Sequence, residues 1–361
     1  MKSKRIIFLT KYPRKGASSR LRTFQFIPNW ERAGYHVTVS SFFNDNYLAN
    51  LYVGKKIGIL NLLFFYLRRF RVLFTVSKYD YVFVEKEIFP FLPSFPELVL
   101  SKLKGYLVDY DDAIFHNYDN SELFIVRNFM PNKISRVMKM ANKVIVGNEY
   151  LAMKARASGA KSILRLPTVI DPNRYQKKVH SAKLITTIGW IGPPVNLKYL
   201  ESVVPFLEKI QQNFFIKLLL ITGKELSHFS GNQELIPWTE EGEADGLLKI
   251  DIGIMPLPDN PWERGKCAYK LIQYMACGLP VVASPVGMNR EVVQHGVNGF
   301  LADTQEEWVE FLGKLISDWE MREAFGTKGY ELVMEKYTLA GNFQKMLALV
   351  STPANDNAEN T

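Results

Sequence analysis

The feature that most constrains this chain is an end-to-end alternation of short apolar runs with helical stretches. Strand-like runs fall at 6–9, 37–40, 81–84, 106–108 and 144–146, then at 184–188, 216–221, 250–255 and 281–283. Between them, residues 20–33, 93–104, 122–140, 195–212 and 269–276 read as helices. A strand apolar on both faces has to be covered on both, and interleaved helices supply the cover, so the pattern predicts parallel sheets in an α/β fold. Ligands of such sheets bind outside the carboxyl ends of the strands, near the switch in strand order. The polar, turn-rich stretch 171–183 (DPNRYQKKVHSAK) is the best linker. It implies a Rossmann-like domain over 1–175, a second over 182–336, a helix over 337–350 that crosses back to the first domain, and a mobile tail over 351–361. Two domains joined at that linker would face one another across a cleft.

Composition bounds the class. Hydrophobic residues make up 47% of the chain and charged residues 22%, the balance of a soluble globular protein. Cys267 and Cys277 alone give no disulfide framework, and a reducing compartment fits. Their spacing matches no common zinc pattern and the five histidines are scattered, so neither a metal nor another cofactor is expected. The opening MKSKRIIFLTKYP is basic but has too short an apolar core for a signal peptide, and no apolar run is long enough to cross a bilayer. The expected location is cytoplasmic.

Charge is unevenly spread. Residues 1–180 hold 30 Lys and Arg against 13 Asp and Glu, whereas residues 181–361 hold 15 against 23. The first half therefore faces something anionic, either a membrane surface or nucleic acid. Nucleic acid is disfavoured, because no helix-turn-helix, zinc-finger or aromatic-basic RNA signature accompanies the charge. The stretch 58–76 (GILNLLFFYLRRFRVLFTV) is helical in length and very apolar, yet holds Arg68, Arg69 and Arg71. Two readings stand side by side: an interfacial helix with its arginines toward lipid headgroups, and a buried helix whose arginines snorkel to solvent.

The most chemically informative stretch is 263–289, ERGKCAYKLIQYMACGLPVVASPVGMN. It reads as a glycine-bearing loop, a short helix, a turn at Gly278, a buried strand at 281–283 and a second loop. Lys266 and Lys270 sit where the helix begins. A helix N-terminus offers unpaired N–H groups and positive potential, which suits a diphosphate, and two lysines add point charges. Gln273 falls on about the same face as Lys270. The plainer reading is a solvated helix start in front of an ordinary core strand.

With IGWIGPP upstream and SSRLRTFQFIPNWERAGYHVTV near the start, the segment KLIQYMACGLPVVASPVGMNREVV resembles family 4 of the glycosyltransferases. The resemblance runs from about Arg5 to Tyr337 and is strongest between Asp251 and Phe300. It implies the GT-B fold, two Rossmann-like domains facing across a cleft, and a retaining, metal-independent hexosyltransferase. It further implies a nucleotide-sugar donor whose diphosphate lies at the start of the helix carrying Lys270 and Gln273. The family usually has two glutamates separated by seven residues here. The second would fall on Gln273 and the first on Gly265, so both positions depart from the pattern. Glu263 is close enough to take the first role, and a glutamine amide can still hydrogen-bond ribose hydroxyls. In the loop Gly189-Trp190-Ile191-Gly192-Pro193-Pro194 the family often places an arginine and a lysine. Lys198 matches the lysine, but Trp190 stands where the arginine is expected. Thr222-Gly223-Lys224 resembles the strand end near which the family binds the base, where Trp238 would stack.

Two segments of the first half complete the candidate site. Lys15-Gly16-Ala17-Ser18-Ser19-Arg20 lies between the first strand and helix, where Gly16, Ser19 and Arg20 are placed to meet donor phosphate or acceptor; helix capping by Ser18 or Ser19 is the other reading. Asp109-Tyr110-Asp111-Asp112-Ala113-Ile114-Phe115-His116 puts three carboxylates and a histidine at a strand end. Metal binding is one reading; helix capping and the orientation of sugar hydroxyls by Asp111 and Asp112 are favoured over it. His116 is read as holding the sugar or acceptor, with a structural histidine as the plainer reading. The expected catalytic set is Lys266, Lys270, His116 and Glu263, and the donor-binding set is Gly189, Gly192, Lys198, Gly223 and Gln273. The chemistry asked of them is to stabilise charge on the departing diphosphate. A basic, membrane-facing first half suits a glycan or lipid-linked acceptor at the inner face of a cytoplasmic membrane, in bacterial cell-surface polysaccharide synthesis. The rivals are a nucleotide-sugar epimerase of similar fold and a non-catalytic nucleotide-sugar-binding protein.

Overall fold

The computed structural model describes residues 3–52, 54–55 and 57–351. The chain forms two compact units, one running to Thr168 and resuming at Leu339, the other spanning Val169–Thr338. The first division falls ahead of the 171–183 segment because that segment is tied down within the second unit. The backbone N–H of Ile170 donates to the Tyr337 carbonyl at 2.9 Å, and that of Lys178 to the Cys277 carbonyl at 2.9 Å. The His180 N–H donates to Glu323 at 2.9 Å. The last helix, Leu339–Ser351, belongs to the first unit, where the Val350 carbonyl accepts from the Tyr81 hydroxyl at 2.5 Å. Of the expected tail, Ser351 closes this helix and residues from 352 on lie outside the described residues.

The first unit holds strands β1 (Arg5–Thr10), β2 (His36–Ser41), β3 (Tyr81–Glu85), β4 (Leu107–Tyr110), β5 (Lys143–Val146) and β6 (Ile163–Arg165) in the order β2-β1-β3-β4-β5-β6. The second holds β7 (Thr186–Ile191), β8 (Ile216–Ile221), β9 (Gln233–Ile236), β10 (Ile252–Met255), β11 (Val281–Ala283) and β12 (Gly299–Leu301) in the order β12-β11-β10-β7-β8-β9. Every ladder is parallel. Each sheet has one switch in winding direction, between β1 and β3 in the first and between β7 and β10 in the second. Those two carboxyl edges are where such folds take ligands. Three expected helices are each broken near a proline: 20–33 at Pro28, 122–140 at Pro131 and 195–212 at Pro205. Proline is accepted in a helix's first turn but not in its interior, so the later piece restarts there.

The arginine-bearing helix, Ile59–Leu73, packs with two of its three arginines, Arg68 and Arg69, inward, while Arg71 is exposed. Arg69 is buried and donates to the Thr10 carbonyl at 2.6 Å and the Ser40 carbonyl at 3.0 Å. Arg68 donates to the Ser41 and Phe42 carbonyls at 2.6 and 2.8 Å. Neither the headgroup-facing nor the solvent-snorkelling reading describes these two residues. They satisfy carbonyls at the ends of β1 and β2, and burial pulls the Arg69 guanidinium down to about 9.

The core of the second unit is a sandwich of β7, β8 and β10 with helices Val204–Gln211 and Gln305–Ser317, centred on Ile188, Leu218, Leu220, Ile252, Leu207 and Leu312. Helix Trp319–Lys336 approaches the Gly278 turn so closely that a Cβ on Gly326 would lie 1.9 Å from the Gly278 carbonyl oxygen. Backbone cannot yield as a flexible side chain would. Gly326→Ala is expected to lower the stability of the second unit by roughly 2–3 kcal/mol, read as a fall in the denaturation midpoint at unchanged m-value. An unchanged midpoint would contradict this packing.

Candidate active site

At the switch point of the second unit, β7 and β10 pair only through Ile188–Ile252 and Gly189–Gly253. Beyond that the Tyr274 hydroxyl stands between them, accepting from the Ile191 N–H at 3.0 Å and donating to the Ile254 carbonyl at 3.3 Å. Gly253 lets the ring lie there, since a Cβ at that position would meet Tyr274 Cγ at 2.4 Å. Tyr274 belongs to helix Tyr269–Ala276, whose start is positioned by Ala268 in a left-handed conformation (φ 51°) and has no side-chain cap. A non-glycine residue held there costs on the order of 1–2 kcal/mol, a cost that recurs at functional sites.

Three lysines gather at this edge. Lys270, half-buried, holds its ammonium 5.2 Å from the centre of the Trp190 ring, and its Cε would lie 2.9 Å from a Cβ on Gly192. Lys198 and Lys266 both lie over the Tyr199 ring, at 5.1 and 5.4 Å, and the Tyr199 hydroxyl donates to buried Glu263 at 2.6 Å. Lys270 forms no ion pair among the described residues. Desolvation, reinforced by Lys266, pushes its ammonium down to about 7. Such a group gains most from an anion.

Around Gln273 the bonding runs inward. Gln273 is buried and its Nε2 donates to the Tyr175 hydroxyl at 3.3 Å, which in turn donates to buried Glu243 at 3.0 Å. Trp238 Nε1 also donates to Glu243 at 3.0 Å, and Arg174 reaches the same carboxylate at 3.3 Å.

The first unit carries a second polar cluster, at the carboxyl ends of β1, β3 and β4. Lys86, in a left-handed conformation (φ 67°) directly after β3, is buried and pairs with Asp111 at 3.0 Å and Asp112 at 3.3 Å. Ser18 donates to Asp111 at 2.5 Å and to Glu85 at 3.1 Å, and Ser19 donates to Glu85 at 2.6 Å. Burial works against charge on Lys86, yet Asp111, Asp112 and Glu85 hold its ammonium well above the ordinary lysine value. Burial likewise opposes the Asp111 carboxylate, but Lys86 and the Ser18 hydroxyl keep it below the ordinary range. Among the described residues no group of three or more His, Cys, Asp or Glu side chains is disposed to hold a metal ion.

Comparison with known proteins bears on both units. Residues 228–332 match the family described as glycosyl transferases group 1. The matched residues lie within the second unit. Over 122 residues it is 30% identical to a sucrose synthase of Melioribacter roseus, a match covering 32% of this chain and 15% of that protein. Sucrose-phosphate synthase of Thermosynechococcus elongatus superposes with a TM-score of 0.71 at 14% identity, over 96% of this chain and 98% of the other. Anabaena HepE in complex with UDP-glucose superposes with a TM-score of 0.68 at 14% identity, over 96% and 99%. The fold is that of GT-B glycosyltransferases, as the sequence resemblance implied.

Within the second unit, Lys198, Glu263, Lys266, Lys270 and Gly192 come together, and Gly223 lies beside them, a Cβ there meeting Pro194 at 3.3 Å. Gly189 does not join them. It lies inside β7, where its missing side chain makes room for Ile250, 2.1 Å from a Cβ position. In the first unit, Gly16 makes the turn against Tyr12, and Ser18 and Ser19 bond carboxylates rather than capping their helix. Arg20 is buried. His116 has both ring nitrogens engaged, with Asp119 and the Tyr150 hydroxyl, each at 2.9 Å. Sequence reasoning missed Lys86, Glu85, Tyr199, Tyr175 and Glu243. The only signal for the first two was the run Glu85-Lys86-Glu87 closing an apolar strand.

Removing Lys86 would strand buried carboxylates. Lys86→Met is expected to cost about 3–5 kcal/mol at pH 8. In wild type the depressed Asp111 pKa contributes stability above the unfolded carboxylate value, lost as pH falls through the folded one. Without Lys86 the carboxyls titrate higher, so the deficit should shrink between pH 8 and pH 5. Chemical denaturation at both pH values measures it, and a pH-independent deficit would argue that the pairing is not the cause.

Proposed function

We propose that this protein is a retaining glycosyltransferase that moves a sugar from a nucleotide-diphosphate donor to a glycan or lipid-linked acceptor, in bacterial cell-surface polysaccharide synthesis. The observation that carries the reading is the unpaired Lys270 ammonium at the carboxyl edge between β7 and β10, with Lys266 and Lys198 nearby. A diphosphate is the anion that such a set and an uncapped helix start recognise together. The UDP-glucose bound by Anabaena HepE makes UDP the first base to test.

In the reaction the bond from the anomeric carbon to the diphosphate oxygen breaks, and a bond to the acceptor oxygen forms on the same face. The departing phosphate oxygen takes the acceptor's proton. Lys270 and Lys266 stabilise the charge that develops on the leaving group, in a setting where desolvation makes each interaction stronger than in water. Glu263, fixed by Tyr199, and Gln273, fixed by Tyr175, orient donor hydroxyls. The working location is the inner face of the cytoplasmic membrane, with no metal or other cofactor taking part. Among the described residues no helix is long and apolar enough to cross a membrane.

Thermal unfolding with and without UDP tests the donor site. At about 100 times its dissociation constant UDP should add roughly 2.7 kcal/mol of stability to wild type. Lys270→Ala should keep its fold, lose most of that stabilisation and turn over about 10–100-fold more slowly, the loss of one charge-assisted contact. Equal stabilisation of variant and wild type by UDP would sink the assignment of Lys270.

A further inference from the structure

The helix Ile59–Leu73 is built inside out. Its fifteen residues contain no carboxylate, and two of its three arginines are spent on β1 and β2 carbonyls. Apart from buried Phe65, its first turns show apolar side chains outward, with Ile59 80% and Leu60 79% exposed and Leu63, Phe64 and Leu67 about half exposed. Such an arrangement costs hydration free energy for every side chain displayed, and a monomeric soluble protein rarely presents so much apolar surface without a use for it.

The display is not confined to one element. Because Arg68 and Arg69 bond carbonyls at the ends of β1 and β2, and Tyr66 bonds the Pro90 carbonyl beyond β3, the two turns before them stand past the carboxyl edge of the sheet. The connection after β3 shows Phe91 and Phe95 at the same edge. Phe91 is held there in a left-handed conformation (φ 56°), with its ring against Tyr118. The connection after β4 shows Leu123, Phe124, Ile125 and Phe129, all more than 60% exposed. Glu97, which could have made the β3 connection polar, is buried and accepts from the Ile88 N–H at 2.9 Å. Exposed Lys15, Lys55 and Arg127 lie in the connections after β1, β2 and β4. Three crossovers of one parallel sheet thus bring apolar tips to a single edge, with cations at the margin, in the half of the chain where Lys and Arg outnumber Asp and Glu 30 to 13.

We infer that this edge of the first unit docks on an anionic phospholipid bilayer by inserting the apolar tips of 59–67, 91–95 and 123–129 into the boundary between headgroups and acyl chains. Marginal cations supply attraction to the surface, and the buried apolar area supplies most of the hold. The inserted surface is therefore apolar rather than arginine-based, and binding should survive salt that would release a purely electrostatic adsorbate. The inference deepens the transferase reading by naming the surface on which a lipid-linked acceptor would lie, beside Ser18, Asp111 and Asp112 on the same sheet edge. Its geometry is independent of the donor site.

The test is co-sedimentation of the full chain with vesicles of phosphatidylcholine and phosphatidylglycerol (7:3), at low salt and at 0.5 M NaCl. Wild type should sediment with the vesicles in both. The triple variant Leu60→Ser, Phe64→Ser, Phe124→Ser should partition at least tenfold more weakly, whereas Leu184→Ser, an equally exposed apolar position in the second unit, should bind like wild type. Circular dichroism and stabilisation by UDP show that each variant is folded, so a failure here is distinguishable from a failure of the donor reading. No binding by wild type, full release of wild type by salt, or a triple variant that binds normally would each overturn the inference. So would a wild-type dimer that the triple variant dissolves while vesicle binding is absent, which would make the edge an interface between copies of this chain.

Discussion

A half-buried, desolvated lysine without a counter-ion stands at the centre of the second unit's carboxyl edge. Lys270 lies over Trp190, passes close to Gly192, and is repelled by Lys266. No carboxylate pairs with it among the described residues. The helix that carries it is fixed by the left-handed Ala268 at its start, by the Tyr274 hydroxyl that replaces ladder hydrogen bonds between β7 and β10, and by Gly253 beneath that ring. Keeping an ammonium in this setting costs stability, which is recovered when an anion arrives.

The first unit handles charge in the opposite way. Lys86 is buried more deeply than Lys270, yet it is met by Asp111 and Asp112, with Glu85 close enough to add its field. Ser18 and Ser19 tie those carboxylates to the loop after β1. A satisfied network of this kind is rigid, and it presents the outer carboxylate, Asp112, in a fixed position. One unit thus leaves a lysine without a counter-ion, and the other keeps its charges compensated. That difference matches the split in net charge less simply than the composition suggests. Arg68 and Arg69 contribute to the basic balance of the first half but are spent on backbone carbonyls, so the charge that a surface meets comes from residues such as Lys15, Lys55 and Arg127.

Much of the fold was legible because buried parallel strands are written as uninterrupted apolar runs, and 6–9, 81–84, 216–221 and 281–283 all fall within strands. The edge strands β6, β9 and β12 were not, since three- or four-residue edge segments carry no period long enough to separate from a loop. The lysines at the β7–β10 edge, Lys266 and Lys270, were readable from the 263–289 motif. Their convergence with Lys198 was readable only in part, because it depends on how the loop after β7 meets a helix some 75 residues later in sequence. Gly189 was misread for a related reason: a glycine near a loop looks like a phosphate approach, whereas this one makes room for Ile250. The inverted helix could not have been found from amphipathicity, which identifies an apolar face but not whether that face points inward. The charged face of Ile59–Leu73 turned out to be the one with a structural job.

The most direct test of the account is calorimetric titration of UDP-glucose into the protein at pH 8, repeated in buffers of different ionisation enthalpy. The donor's diphosphate does not titrate there, whereas an amine with a pKa of about 7 is mostly neutral. A bound diphosphate restores the charge, so binding should take up close to one proton at pH 8, far less at pH 6, and none in Lys270→Met. Binding at pH 8 with no proton uptake, or the same uptake in Lys270→Met, would contradict the claim that this ammonium is the diphosphate's partner.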